Sequence, residues 1–216
     1  MRNERVGESN YLIMRDQAQK RFLLYDQKEM EGKYGFAFDK DYFYVPYLFE
    51  EWRVNRHTGM VEGSKDQFRH VHQGGFRETL TIYDLLCCGK KEIALSGRYA
   101  RTNSLQGTIK GRTIASGIYD RHAERYDGQV ERLKKACVSI GGKPYSPGDA
   151  AFLFQVFPFL ILVFQFWESD EEFPPVLKFM WDEKVLDYLR FETLYYVMED
   201  FLNALDEAFD RCKTDM

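Results

Sequence analysis

DAAFLFQVFPFLILVFQFWESDEEFPPVLKFMWD, residues Asp149–Asp182, is the stretch on which the fold turns. Asp149 to Phe157 and Phe159 to Trp167 are two strand-length apolar segments joined near Pro158. They lack strict alternation, so they read as central strands covered on both faces. Val176 to Trp181 reads as a third strand. Between the second and third, the apolar run stops at Trp167, and Glu168, Asp170, Glu171 and Glu172 crowd together before Phe173, Pro174 and Pro175. Carboxylates gathered where a buried strand emerges repel one another unless cations or donors meet them.

Working outward, Phe191 to Phe209 is the clearest helix. Phe191, Leu194, Tyr195, Met198, Phe201, Leu202, Leu205 and Phe209 recur at the spacing of one buried stripe. At the other end, Ser9 or Asn10 can cap a helix running to about Met30, with Tyr11, Met14, Ala18, Phe22 and Tyr25 on one side and Gly32 as its stop. Lys33–Phe38 and Tyr42–Phe49 read as extended, with Pro46 pointing to an edge position or a bulge; Glu51–Arg56 alternates with Trp52 and Val54 on one face, and Met60–Glu62 returns as a partner strand. Connections this short make an antiparallel meander. Gly63–Gly75 reads as a loop, Phe76–Cys88 as a short helix ended by Gly89, and Ile118–Val138 as a longer helix ended by Gly141-Gly142. Strands in two clusters separated by helices give the α+β class. The expectation is a single domain over residues 1–216, with one mixed or mainly antiparallel sheet covered by N-terminal, central and C-terminal helices.

Composition bounds the function. At 44% hydrophobic and 16% aromatic, the 216-residue chain is too apolar to be disordered and can bury a large core. The net charge of −4 is uneven: residues 1–166 carry +5 and residues 167–216 carry −9. The simpler reading is an acidic tail folded back on a basic body; the alternative is a basic surface for an anion. Without a dense Lys/Arg run, nucleic acid is not an expected partner. The longest apolar run, Val156–Trp167, is too short to span a membrane. The polar start MRNERVGESN shows no secretory signal, and Cys87, Cys88, Cys137 and Cys212 form no CxxC, so reduced thiols in the cytoplasm are expected.

Most catalytic signatures fail. Gly107–Arg112 has glycines without Walker spacing and reads as a loop or hairpin; GxGxxG and GxSxG are missing. Neither a nucleotide-binding nor an iron–sulfur motif is found. His70 and His72 supply two imidazoles where a metal cage needs a third ligand. His122 falls beside an apolar helix face, and nothing adjacent in sequence activates Cys87 or Cys88. The acidic cluster remains. On an extended backbone Glu168, Asp170 and Glu172 project to one side, where, with Asp149 or Asp182, they would suit a divalent cation such as Mg²⁺ or Ca²⁺. The structural alternative has Asp170 and Glu171 capping turns while the others pair with Arg98, Arg101 or Arg112. Trp167, Tyr99 and Trp181 would line an adjacent pocket.

Phe166-Trp167-Glu168-Ser169-Asp170-Glu171-Glu172-Phe173-Pro174-Pro175, followed by Phe191-Glu192-Thr193-Leu194-Tyr195-Tyr196, resembles an uncharacterised prokaryotic family, domain of unknown function 3786. Val45-Pro46-Tyr47 with Thr58-Gly59, Leu80–Leu86, Leu95-Ser96-Gly97-Arg98 and Gly141-Gly142 with Gly148-Asp149 agree with it, so the resemblance spans almost the whole chain. It implies one domain of conserved length from a bacterium or archaeon, and carries no established activity. Some relatives add an iron–sulfur module in corrinoid-linked contexts, for which this chain has no cysteine cluster.

The leading expectation is a non-enzymatic small-ligand-binding or accessory module. Its polar site would join Trp167, Glu168, Asp170, Glu171 and Glu172 to Arg98 and Tyr99. The alternative is a metal-assisted hydrolase or transferase with Glu168, Asp170, Glu172 and Asp182 as oxygen ligands. The partner would be a small molecule or a protein; a homo-oligomer is a third reading.

Overall fold

The structure, a computed structural model, describes residues 2–105 and 119–212. Gly107–Arg112, Arg112 as an ion-pair partner and the Ile118 start of the central helix therefore lie outside the described residues. In chain order the elements are α1 (Arg2–Phe22), β1 (Tyr42–Tyr47), β2 (Glu50–Asn55), β3 (Val61–Ser64), β4 (His72–Gln73), α2 (Phe76–Cys88), β5 (Tyr99–Arg101), α3 (Asp120–Tyr126), α4 (Val130–Ser139), β6 (Lys143–Pro144), β7 (Ala150–Phe157), β8 (Leu160–Trp167), β9 (Val176–Asp182) and α5 (Phe191–Arg211). This is an α+β protein with two antiparallel sheets rather than one.

The chain divides into two compact units. The first comprises Met1–Ile93, Phe157–Phe159 and Asp187–Val197. Its sheet runs β1-β2-β3-β4. The alternation expected of β2 is present, with Trp52 and Val54 buried and their neighbours not, and β1 alternates likewise, burying Phe43, Val45 and Tyr47. Both helices grip the β2–β3 turn. Gln19 on α1 donates to the Thr58 carbonyl at 2.8 Å, and Tyr83 on α2 donates to the Gly59 carbonyl. Gly59 has φ 73°, and a Cβ there would meet the Gln19 carbonyl at 2.9 Å, so the turn needs glycine twice over.

The N-terminal helix stops at Phe22, short of the expected Met30. Asp26 accepts from the Lys28 amide at 2.9 Å and starts a separate 3₁₀ turn, Gln27–Glu29. Of the expected α1 stripe, Phe22 is buried, stacked on Tyr83 at 4.9 Å, whereas Tyr11 and Met14 are half exposed. Lys33–Phe38, expected as a strand, contains a 3₁₀ turn, Lys33–Gly35, with Tyr34 at φ 57°. The buried Lys33 explains it. Its ammonium donates to the Leu86 carbonyl at 2.9 Å and the Leu85 carbonyl at 3.4 Å, placing a cation on the C-terminal carbonyls of α2.

The second unit comprises Ala94–Val156, Leu160–Leu186 and Met198–Met216. Its sheet runs β5-β9-β8-β7-β6. Residues Leu162 to Phe166 of β8 are all buried, as a central strand covered on both faces requires. The one amide among them, Gln165, is satisfied by donating to the Pro147 carbonyl at 2.9 Å. Phe201 of α5 meets Phe154, Phe164 and Phe179 at ring distances of 4.6, 5.6 and 5.8 Å, so three strands share one helical residue. The expected central helix is two, α3 and α4, because Gly128 at φ 69° turns the chain between them. The short edge strand β5, Tyr99–Arg101, pairs with β9.

Candidate functional site

The acidic turn joins β8 to β9. Asp170 closes it: one carboxylate oxygen accepts from the amides of Glu172 and Phe173, both at 2.8 Å, while the Asp170 amide donates to the Phe173 carbonyl at 3.0 Å. The start of the turn is held from outside. Asp149 accepts from the Glu168 amide at 2.9 Å, and Asp127 accepts from the Ser169 amide and hydroxyl at 2.9 and 2.7 Å. Those bonds hold the Asp127 carboxyl below its usual range. Glu171 and Glu172 are exposed. A groove of about 450 Å³ lies beside the turn, lined by Trp167, Glu168, Asp170 and Lys178 among others, with the Lys178 ammonium 4.1 Å from the centre of the Trp167 ring.

The other expected residues lie elsewhere on the same sheet. Tyr99 pairs with Asp182 at the far end of β9, about 20 Å from the turn at the rise of a strand. Asp182 is buried and accepts from the Ser96 amide and hydroxyl and from the amides of Gly97 and Lys184, at 2.7 to 3.1 Å. It is a turn anchor with its lone pairs taken. Arg98 pairs with Glu183 at 2.6 Å. The structure therefore brings Trp167, Glu168 and Asp170 together and sets Arg98, Tyr99 and Asp182 apart from them. Among the described residues, no group of three or more His, Cys, Asp or Glu side chains is placed to hold a metal ion. His70 pairs with Asp66 and His72 with Glu50, two separate carboxylates.

A second concavity, within the first unit, was not foreseen. It measures about 300 Å³ between α1, α2 and the start of α5. Phe22, Leu80, Tyr83 and Tyr196 give it an apolar lining, and Arg21, Tyr25, Asp84, Cys88, Arg190 and Thr193 bring polar groups to the same wall. Asp84 organises it. This residue is 6% exposed; one oxygen accepts from the Arg190 amide at 2.5 Å and from the Thr193 hydroxyl at 2.8 Å, capping the start of α5 from α2. Its other oxygen lies 3.1 Å from Arg190 Nε but accepts no hydrogen bond. The far edge of that guanidinium, Nη2, donates to Cys88 Sγ at 3.0 Å, and the Tyr25 hydroxyl is 4.0 Å from the same sulfur. The charge of Cys88 and partial burial raise the Tyr25 hydroxyl above its ordinary range. Burial, with Cys88 beside it, pushes the Cys87 thiol up to about 12.

In the sequence, Cys87 and Cys88 have no adjacent activating group. The cation that touches Cys88 is Arg190, 102 residues along the chain from it. Glu192, Thr193 and Tyr196 of the pocket fall in the Phe191–Tyr196 motif, whose pattern alone marks no cavity.

Among the described residues no helix is long and apolar enough to cross a membrane. No curated protein and no solved structure matches the chain. The family model of a domain of unknown function (DUF3786) matches residues 26–204, which takes in the acidic turn, both sheets and all of the pocket but its α1 wall and Tyr25. The chain belongs to that family.

Proposed function

We propose that the protein is a non-enzymatic binding module for a small organic ligand, and that the pocket between α1, α2 and the start of α5 holds it. The observation that carries this reading is convergence. An apolar lining and a fixed Asp84–Arg190 pair share one cavity of about 300 Å³, a size and composition common to small-molecule sites. The ligand class that fits is a compact apolar body with a carboxylate or phosphate for the guanidiniums. The acidic-turn groove is the second location, favoured by Lys178 over Trp167; burial, with Arg101 nearby, lowers the Lys178 ammonium. We take residues 1–216 as one domain and place the protein in the cytoplasm, a reading supported by four free cysteines.

Thermal melting against a panel of metabolites, organic acids and metal ions tests this. A ligand at a hundred times its Kd stabilises by about 2.7 kcal/mol, a readable shift. The shift is expected to vanish in Leu80→Trp, which fills the pocket, and to persist in Lys178→Ala. The opposite pattern moves the site to the acidic turn, and a flat response from folded protein overturns the reading.

A further inference from the structure

Cys88 is exposed, whereas Cys87 and Cys212 are half-buried and Cys137 is buried. Exposure alone would make it an ordinary surface thiol. Three further facts distinguish it. Its sulfur lines a cavity with apolar walls. It receives a hydrogen bond from Arg190 Nη2 at 3.0 Å. The guanidinium that donates this bond is oriented by Asp84, a nine-tenths-buried carboxylate whose Oδ1 faces Arg190 Nε and accepts no hydrogen bond. Thiol, fixed cation and room for an organic group thus occupy one wall, and Arg21 adds a second guanidinium to the lining.

Resting on the pocket proposed above, we propose that Cys88 is a site of covalent modification by thiol–disulfide exchange, selective for small disulfides that carry a carboxylate. The deprotonated Cys88 sulfur attacks one sulfur of the disulfide. A new Sγ–S bond forms, the old S–S bond breaks, and the other half leaves as a thiolate bearing the electron pair. The Cys88 proton passes to solvent. The small disulfide is the oxidant: one of its halves is released reduced, and the other stays bound to Cys88. Arg190 steadies the negative charge spread over the three sulfurs, and the guanidiniums favour an anionic partner.

The full chain is reacted with 5,5′-dithiobis(2-nitrobenzoate), an anionic aromatic disulfide, and with neutral 2,2′-dithiodipyridine. Release of the coloured thiol is followed, and the adduct is located by peptide mass. The expected result is one fast phase mapping to Cys88, roughly tenfold faster with the anionic reagent than for the same thiol in urea-unfolded protein. Cys88→Ser removes it. Arg190→Gln slows it, and Arg21→Gln, which leaves the Asp84 pair intact, lowers the anionic-to-neutral rate ratio. A Cys88 that reacts no faster folded than unfolded, or a ratio indifferent to both arginines, overturns the proposal. A flat metabolite panel with a fast, arginine-dependent Cys88 adduct overturns the ligand reading alone. A Leu80-dependent melting shift with a sluggish Cys88 overturns the thiol reading alone.

Discussion

Asp84 satisfies the first amide of α5's approach and the buried Thr193 hydroxyl together. Asp84→Ala leaves that hydroxyl without its acceptor and is expected to lower stability by about 2 kcal/mol in urea unfolding, with the m-value unchanged. The half-exposed Arg190 retains water as a partner, so the larger penalty of a stranded buried charge is not expected. Asp206 behaves differently. Burial pushes its carboxyl up, but the His122 ring nitrogen 3.1 Å away, the hydrogen bond from Tyr126 and the Arg125 guanidinium outweigh this and leave it below the ordinary range. A carboxyl depressed on folding contributes stability that is whole above the unfolded value, about 3.9, and fades as pH falls through the lower folded one. The stability difference between wild type and Asp206→Asn should therefore shrink as pH falls below about 4. A difference that grows on acidification would contradict the assignment.

Phe201 touches three strands, so its loss opens a void those strands cannot close by shifting one at a time. Phe201→Ala should cost about 3–5 kcal/mol by chemical denaturation. The α3–α4 break is a smaller matter. Gly128→Ala forces a Cβ into left-handed backbone, at about 1 kcal/mol. The elements legible in the sequence were those whose pattern is set by burial alone. The stripe of α5 and the unbroken apolar run of β8 are examples. What the sequence hid was decided by partners distant along the chain. The Lys33 turn reads as strand until the α2 carbonyls it reaches are known. Clustered carboxylates at Glu168–Glu172 suggest a cation site until the turn's own amides claim Asp170. The Cys88–Arg190 contact joins residues of unremarkable local pattern.

Charge placement across the whole chain follows the simpler sequence expectation in several pairs. Asp210 meets Arg125 at 2.6 Å, and Glu183 meets Arg98 at 2.6 Å, so acids of the tail lie on cations of the body. Neither compact unit is one continuous stretch of chain, since Phe157–Phe159 and Asp187–Val197 belong with Met1–Ile93. Unfolding one unit must release segments whose covalent neighbours belong to the other. Scanning calorimetry should accordingly give one transition with equal calorimetric and van't Hoff enthalpies. Two resolved peaks would show that the units are separate domains.

The three tryptophans are divided between the units. Trp52 is buried in the first; Trp167, beneath the Lys178 ammonium, and the fully buried Trp181 are in the second. Replacing Trp167 and Trp181 with phenylalanine would leave Trp52 as the lone tryptophan, reporting on the four-stranded half. Replacing Trp52 alone would leave an emission from the five-stranded half. The protein thus carries intrinsic optical probes by which the loosening of each half can be timed without a label.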